Sequence, residues 1–116
     1  MQIGLMLEGQ HGLTWERWQN ILGAAERLGF GFVFRSDHFT DASGPYQESL
    51  ECWVSLTHAA SYTRRIEFGS MVSPITFRHP ALLARMAAAV DDLSGGRLIL
   101  GLGAGWQERE HHNFGI

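Results

Sequence analysis

The chain has 116 residues, 45% of them hydrophobic, enough for one modest core and too little for two independent domains. Its formal charge is −3 and its nine basic residues are scattered along the chain, not gathered into a stripe, so nucleic acid is not an expected partner. The one cysteine excludes a disulfide framework within a chain, and no segment approaches the roughly 18 apolar residues of a membrane span.

Ile3–Leu7 is a nearly continuous apolar run that ends at Glu8-Gly9, and it reads as a strand buried on both faces. Thr14 is a good N-cap. Trp15, Trp18, Ile21, Leu22, Ala25 and Leu28 then recur at helical spacing until Gly29 stops the helix. Phe32-Val33-Phe34 reads as a second buried strand. A polar loop from Ser36 to Ser49 follows, then a helical pattern on Leu50, Trp53, Val54, Leu56 and Ala60 that includes Cys52, expected as a buried reduced thiol. Ile66–Val72 supplies a third strand. Pro80 opens a helix carrying Leu83, Met86, Ala87 and Val90, closed by Ser94-Gly95-Gly96. Arg97–Leu102 is a fourth buried strand, followed by a glycine-rich turn and a polar stretch from Trp106 to Asn113 that resembles the start of another helix.

Four βα units in sequence indicate a parallel α/β architecture. A barrel of eight such units needs roughly 250 residues, so the chain reads as a half-barrel, residues 1–116 forming the N-terminal half of a (β/α)8 domain, and as truncated. Its first and last strands would then have open edges, through which a homo-oligomer is expected. The N-terminus carries no basic leader, which points to a cytoplasmic protein without a membrane partner.

In parallel α/β folds the functional residues gather at the C-terminal ends of the strands, here the loops starting at Glu8, Ser36, Ser73 and Gly103. Within them the pair Asp37-His38 stands out, because a histidine held by a carboxylate moves a proton near neutral pH; Asp37 capping a turn beside a packed His38 is the plainer alternative. Arg78 reads either as an anion holder or as a stem covering a helix N-terminus, and His11 and His79 as loop residues satisfied by backbone. Gly101-Leu102-Gly103-Ala104-Gly105 allows close approach of a phosphate or flat ring, or simply tight packing; it lacks the third glycine of the dinucleotide fingerprint, whose place Glu108 takes. Glu108 and His111 have the Glu-x-x-His spacing of a metal motif, but only one copy exists. The helix dipole accounts for Glu108 and Glu110, and no metal is expected.

Ser36-Asp37-His38-Phe39, the segment Val72-Ser73-Pro74-Ile75-Thr76-Phe77-Arg78-His79-Pro80, and the run from Asp91 to Trp106 together resemble the luciferase-like monooxygenase family over essentially the whole chain. The likeness is nearest to the branch that uses the deazaflavin coenzyme F420, with FMN as the alternative. The resemblance implies a (β/α)8 barrel with the cofactor ring at the C-terminal mouth, and a two-electron transfer to or from a small organic substrate. It implies that His38 is the active-site histidine and that Asp37 orients it. Ser36, Gly103, Ala104 and Gly105 would lie at the cofactor. Met71-Val72 would form a bulge with a non-proline cis peptide backing the ring, and Phe39 and Trp106 would face substrate. Sugar-phosphate dehydrogenases of the family carry an acidic residue where this chain has Trp106, so that substrate is not expected. The family's phosphate loops lie largely in a C-terminal half. The rival expectation is a non-catalytic half-barrel that only self-associates through its strand edges.

Overall fold

Four β-strands alternate with four helices in the computed structural model, which describes all residues from Met1 to Ile116. In chain order they are β1 (Gly4–Leu7), α1 (Trp15–Leu28), β2 (Phe32–Arg35), α2 (Cys52–Tyr62), β3 (Glu67–Pro74), α3 (Pro80–Ser94), β4 (Leu98–Gly103) and α4 (Glu108–Phe114). The strands form one parallel sheet in the order β1-β2-β3-β4.

Local chemistry sets the helix ends. The Thr14 hydroxyl accepts from Arg17 N at 3.2 Å, and Gly29, at φ 83°, turns the chain out of α1. Pro80 sits in the first turn of α3 and Gly95, at φ 70°, closes it. α2 starts two residues later than its apolar pattern, because the Glu51 carboxylate caps it by accepting from Val54 N at 2.7 Å. Leu50 therefore belongs to the preceding loop, though it still packs on the core.

α1, α2 and α3 cover one face of the sheet. Trp18, Leu22, Trp53, Leu56, Leu83 and Val90 meet Val33 and Phe68 from the central strands in a single apolar cluster. Its two indoles keep their hydrogen bonds, Trp18 to the Ser55 carbonyl and Trp53 to the Ser73 hydroxyl, each at 3.0 Å. At the opposite end of the sheet from the rim, Arg97 donates to the carbonyls of Ala60, Thr63 and Ile66, so α2's last turn is satisfied by a cation.

The first and fourth strands are not buried as their apolar runs led one to expect. Met6 is 43% exposed, and Ile99, Leu100 and Leu102 are 38%, 37% and 58% exposed. A run is buried on both faces only when it has neighbours on both sides and layers above and below; β1 and β4 are edges, and the sheet face opposite the helices is uncovered. β3 also runs past Val72 to Pro74, with a shift in pairing between Ser70 and Ser73 and a cis peptide at Met71-Val72. No helix is long and apolar enough to cross a membrane.

β3 and β4 approach so closely that side chains are excluded between them. A β-carbon on Gly69 would run into the Ile99 carbonyl oxygen, and one on Gly101 into the Ser70 carbonyl. Gly69→Ala must therefore spread the strands, and a loss of about 1–3 kcal/mol in unfolding free energy is expected from urea titration. Wild-type stability in that variant would contradict this packing.

Candidate active site

The loops leaving the C-terminal ends of the strands form a rim, and α4 lies across it. Six α4-segment side chains dock onto neighbouring loops. Gln107 donates to the Thr40 carbonyl at 2.7 Å, Arg109 to the carbonyls of Asp41 and Gly44, and Asn113 to the Tyr46 hydroxyl at 2.9 Å. His111 lies 2.7 Å from Thr76 Oγ1, and Phe114 packs on Phe39 with ring centroids 4.8 Å apart. The sixth is Glu110, wholly buried. Its Oε1 accepts from the backbone N–H groups of Phe39 and Thr40, and its Oε2 lies 2.8 Å from His38 Nδ1.

His38 is thus held by a carboxylate, but not by its neighbour. Asp37 points the other way, into the helical layer, where Arg78 donates to both its oxygens at 2.5 and 3.1 Å and also to Glu51. The expectation that Asp37 orients His38 is corrected by this geometry: Val33, Arg35 and Asp37 continue the buried alternation of β2, which leaves His38 on the opposite side. Burial pushes the Asp37 carboxyl above its ordinary range, while Arg78 and Ser73 pull it back. Burial likewise works against the Arg78 cation, yet its bonds to Asp37 and Glu51 prevail and hold it above its usual value. Cys52, next to this cluster, is a buried free thiol, as its pattern implied, and desolvation pushes it far above its ordinary range.

The remaining predicted positions divide between rim and scaffold. Met71 and Val72 are 48% and 40% exposed and offer an apolar surface at the end of β3. Gly103 makes room for the bulge itself, since a β-carbon there would overlap the Val72 side chain, and Gly105 adopts φ 84° beside Thr76 and His111. Ala104 is exposed between them. Ser36 is buried, accepting from Gly9 N at 3.2 Å and donating to Gln10 at 2.8 Å, so it ties the loop after β1 to that after β2. Phe39 is stacked on Phe77 at 4.6 Å and is an anchor for α4 more than an open surface. Trp106 is 70% exposed and meets the His38 ring edge-on at 5.8 Å. His11 joins Asp41 across the rim at 2.6 Å, and His79 caps α3. No three His, Cys, Asp or Glu side chains converge on a metal-sized site, and His111 spends both ring nitrogens on Gln107 and Thr76.

For a flat redox ring the rim therefore offers the open Met71-Val72 surface, and for a proton it offers His38 Nε2, which bonds nothing in the chain. Sequence reasoning missed Glu110 as the partner of His38; of its two readings of Arg78, the anion holder is the one the geometry shows, the anions being the Asp37 and Glu51 carboxylates. The only local sign of Glu110 was an acid in the first turn of a short helix, which the helix dipole already explained.

A parallel α/β sheet whose loops gather at the C-terminal ends of its strands defines a class of α/β proteins that build their sites at that end. Comparison narrows the class. The sequence model described as luciferase-like monooxygenase matches residues 1–116, and the chain belongs to that family. Among curated relatives, pyrimidine monooxygenase RutA of Pseudomonas syringae is 31% identical over 110 residues, covering 92% of this chain and 30% of that protein. RutA of Escherichia coli is 32% identical over the same length, with 92% and 33% covered. The chain thus spans about a third of the length of the curated relatives it matches.

Solved structures agree. The coenzyme F420 dependent tetrahydromethanopterin reductase of Methanopyrus kandleri superposes with TM-score 0.79 at 26% identity, covering 99% of this chain and 30% of that one. Monooxygenase RslO1 of Streptomyces bottropensis gives 0.83 at 28%, with 100% and 37% covered. The oxygenating constituent of 3,6-diketocamphane monooxygenase of Pseudomonas putida, solved with FMN, shares the fold at TM-score 0.80 and 24% identity, covering 100% of this chain and 33% of that one. The α/β fold is that of luciferase-like barrel proteins over part of their length.

The ion pair beneath the rim generates a test. Arg78→Met leaves the Asp37 carboxylate buried without its cation, which should lower stability by about 3–5 kcal/mol at neutral pH. Burial then acts on Asp37 against the Ser73 hydrogen bond alone, so the folded state binds its proton more tightly than the unfolded state does. The deficit must shrink as pH falls, and urea titrations across the acid range check this sign. A deficit independent of pH would contradict the pairing.

Proposed function

We propose that the chain forms the proton-handling part of the active site of a flavin- or deazaflavin-dependent oxidoreductase, and that it is the N-terminal half of a (β/α)8 barrel. The observation that carries this reading is His38: one ring nitrogen is held by a buried carboxylate, and the other is open at the mouth of the sheet beside exposed Trp106. Coenzyme F420 is the first cofactor to expect, from the run of motifs at Ser36-Asp37-His38-Phe39, Val72–Pro80 and Asp91–Trp106; FMN is the alternative. Either group, when bound, supplies the electron pair for two-electron transfer to or from a small organic substrate. Met71 and Val72 would back its ring. Gly103, Ala104 and Gly105 would border it, and Ser36 would act from below by fixing the loop after β1. His38 would take or return the accompanying proton at Nε2, with Trp106 and the edge of Phe39 toward substrate.

The test is a fluorescence titration of the purified chain with F420 and, separately, FMN. Saturable binding in the micromolar range, weakened in Gly103→Val, which displaces the Val72 bulge, is the expected result and names the cofactor. A folded chain that binds neither at millimolar concentration overturns this reading for the chain.

A second reading rests on a separate observation. β1 and β4 each have one strand neighbour, and Leu100 and Leu102 on β4 are exposed, so self-association of the chain into a homo-oligomer through these edges is proposed. Light scattering should report a mass above one chain that falls toward the monomer in Leu102→Lys. A monomeric wild-type chain would contradict it.

A further inference from the structure

We infer that Glu110 is a positioning residue that sets the tautomer of His38, so that the nitrogen exposed at the mouth is a proton acceptor; the inference rests on the function proposed for His38 and adds the residue that makes it possible. The geometry allows little else. Glu110 Oε1 is taken by two donors, the N–H groups of Phe39 and Thr40, so it cannot carry a proton. Oε2 faces His38 Nδ1 at 2.8 Å, and no Arg or other cation reaches the carboxylate, which has no solvent exposure. Of the two atoms that share this hydrogen the carboxylate oxygen is ordinarily the weaker base, so the hydrogen sits on Nδ1 and the carboxylate accepts it. The neutral imidazole is then the Nδ1–H form, and Nε2 presents a lone pair outward. When Nε2 takes a proton, the imidazolium formed is balanced by the charge on Glu110, a buried partner already in place.

The same donors make one substitution diagnostic. In Glu110→Gln the amide must turn its oxygen to the Phe39 and Thr40 N–H groups, which leaves its NH2 facing His38 Nδ1. An NH2 only donates, so Nδ1 becomes the acceptor and the hydrogen moves to Nε2. The isosteric change keeps the loop and reverses the face that His38 presents.

The experiment is 15N NMR of the histidine side chains in the 116-residue chain, without cofactor, at a pH where His38 is neutral, with its signals assigned by their loss in His38→Asn. The expected wild-type spectrum has a pyridine-type Nε2 and a pyrrole-type Nδ1. In Glu110→Gln these should exchange while the amide signals of Phe39 and Thr40 stay near their native positions. A wild-type Nε2 of pyrrole type overturns the inference, as does an unchanged tautomer in Glu110→Gln with the loop intact. If Glu110→Gln does not fold, the wild-type spectrum decides alone. Because no cofactor enters the measurement, a failed cofactor titration with the expected tautomer would remove the proposed function and leave this inference standing.

Discussion

A carboxylate with no solvent exposure is tolerated only where hydrogen bonds replace its water, and at Glu110 every one of those donors comes from the three residues His38, Phe39 and Thr40. That requirement fixes α4 and the loop after β2 to each other. The loop has no backbone partners of its own at Phe39 and Thr40, and α4 is too short to be stable alone. Each supplies what the other lacks. The aromatic stack of Phe77, Phe39 and Phe114 and the His111–Thr76 contact extend the attachment to the loop after β3. The rim is thereby one connected surface and not four independent loops.

Beneath it lies a second polar layer with a different task. Arg35, fully buried on β2, donates to the Ser36 and Leu50 carbonyls and to the Ser55 hydroxyl without a carboxylate of its own. Asp37, Arg78 and Glu51 stand nearby, and with Arg35 they make two positive and two negative charges. Such a cluster is electrically neutral as a group, which limits the penalty for burying it. It joins β2, the start of α2 and the turn into α3 at the level where the strands end. Adjacent residues therefore serve opposite sides of the sheet: Asp37 secures the scaffold and His38 faces the mouth. The alternation of side chains along an extended chain is enough to separate them.

The fold was legible because its signals are local. Thr14, Gly29, Pro80 and Gly95 mark helix ends through hydrogen bonds and dihedrals within a few residues, and α1 and α3 lie where those residues put them. Burial of β1 and β4 was misread because the apolar runs at Ile3–Leu7 and Arg97–Leu102 carry no information about missing neighbours. The site was half legible. His38 and Trp106 were found on the rim, but the carboxylate assigned to His38 was the adjacent Asp37, when its actual partner lies 72 residues away and that of Asp37 lies 41 residues away. Contacts of that separation leave no periodic trace in a single sequence. Glu110 in particular looks like any acid at a helix start until the fold brings the loop after β2 above it.

The organising role of Glu110 is most directly tested by native-state hydrogen exchange at Phe39 and Thr40. Neither amide has a backbone acceptor, so protection there can come only from the buried carboxylate. Both should exchange as slowly as amides of the central strands, and both should lose that protection in Glu110→Ala while β2 and β3 keep theirs. Exchange of Phe39 and Thr40 at the rate of an open loop in the wild-type chain would contradict a rim assembled around Glu110.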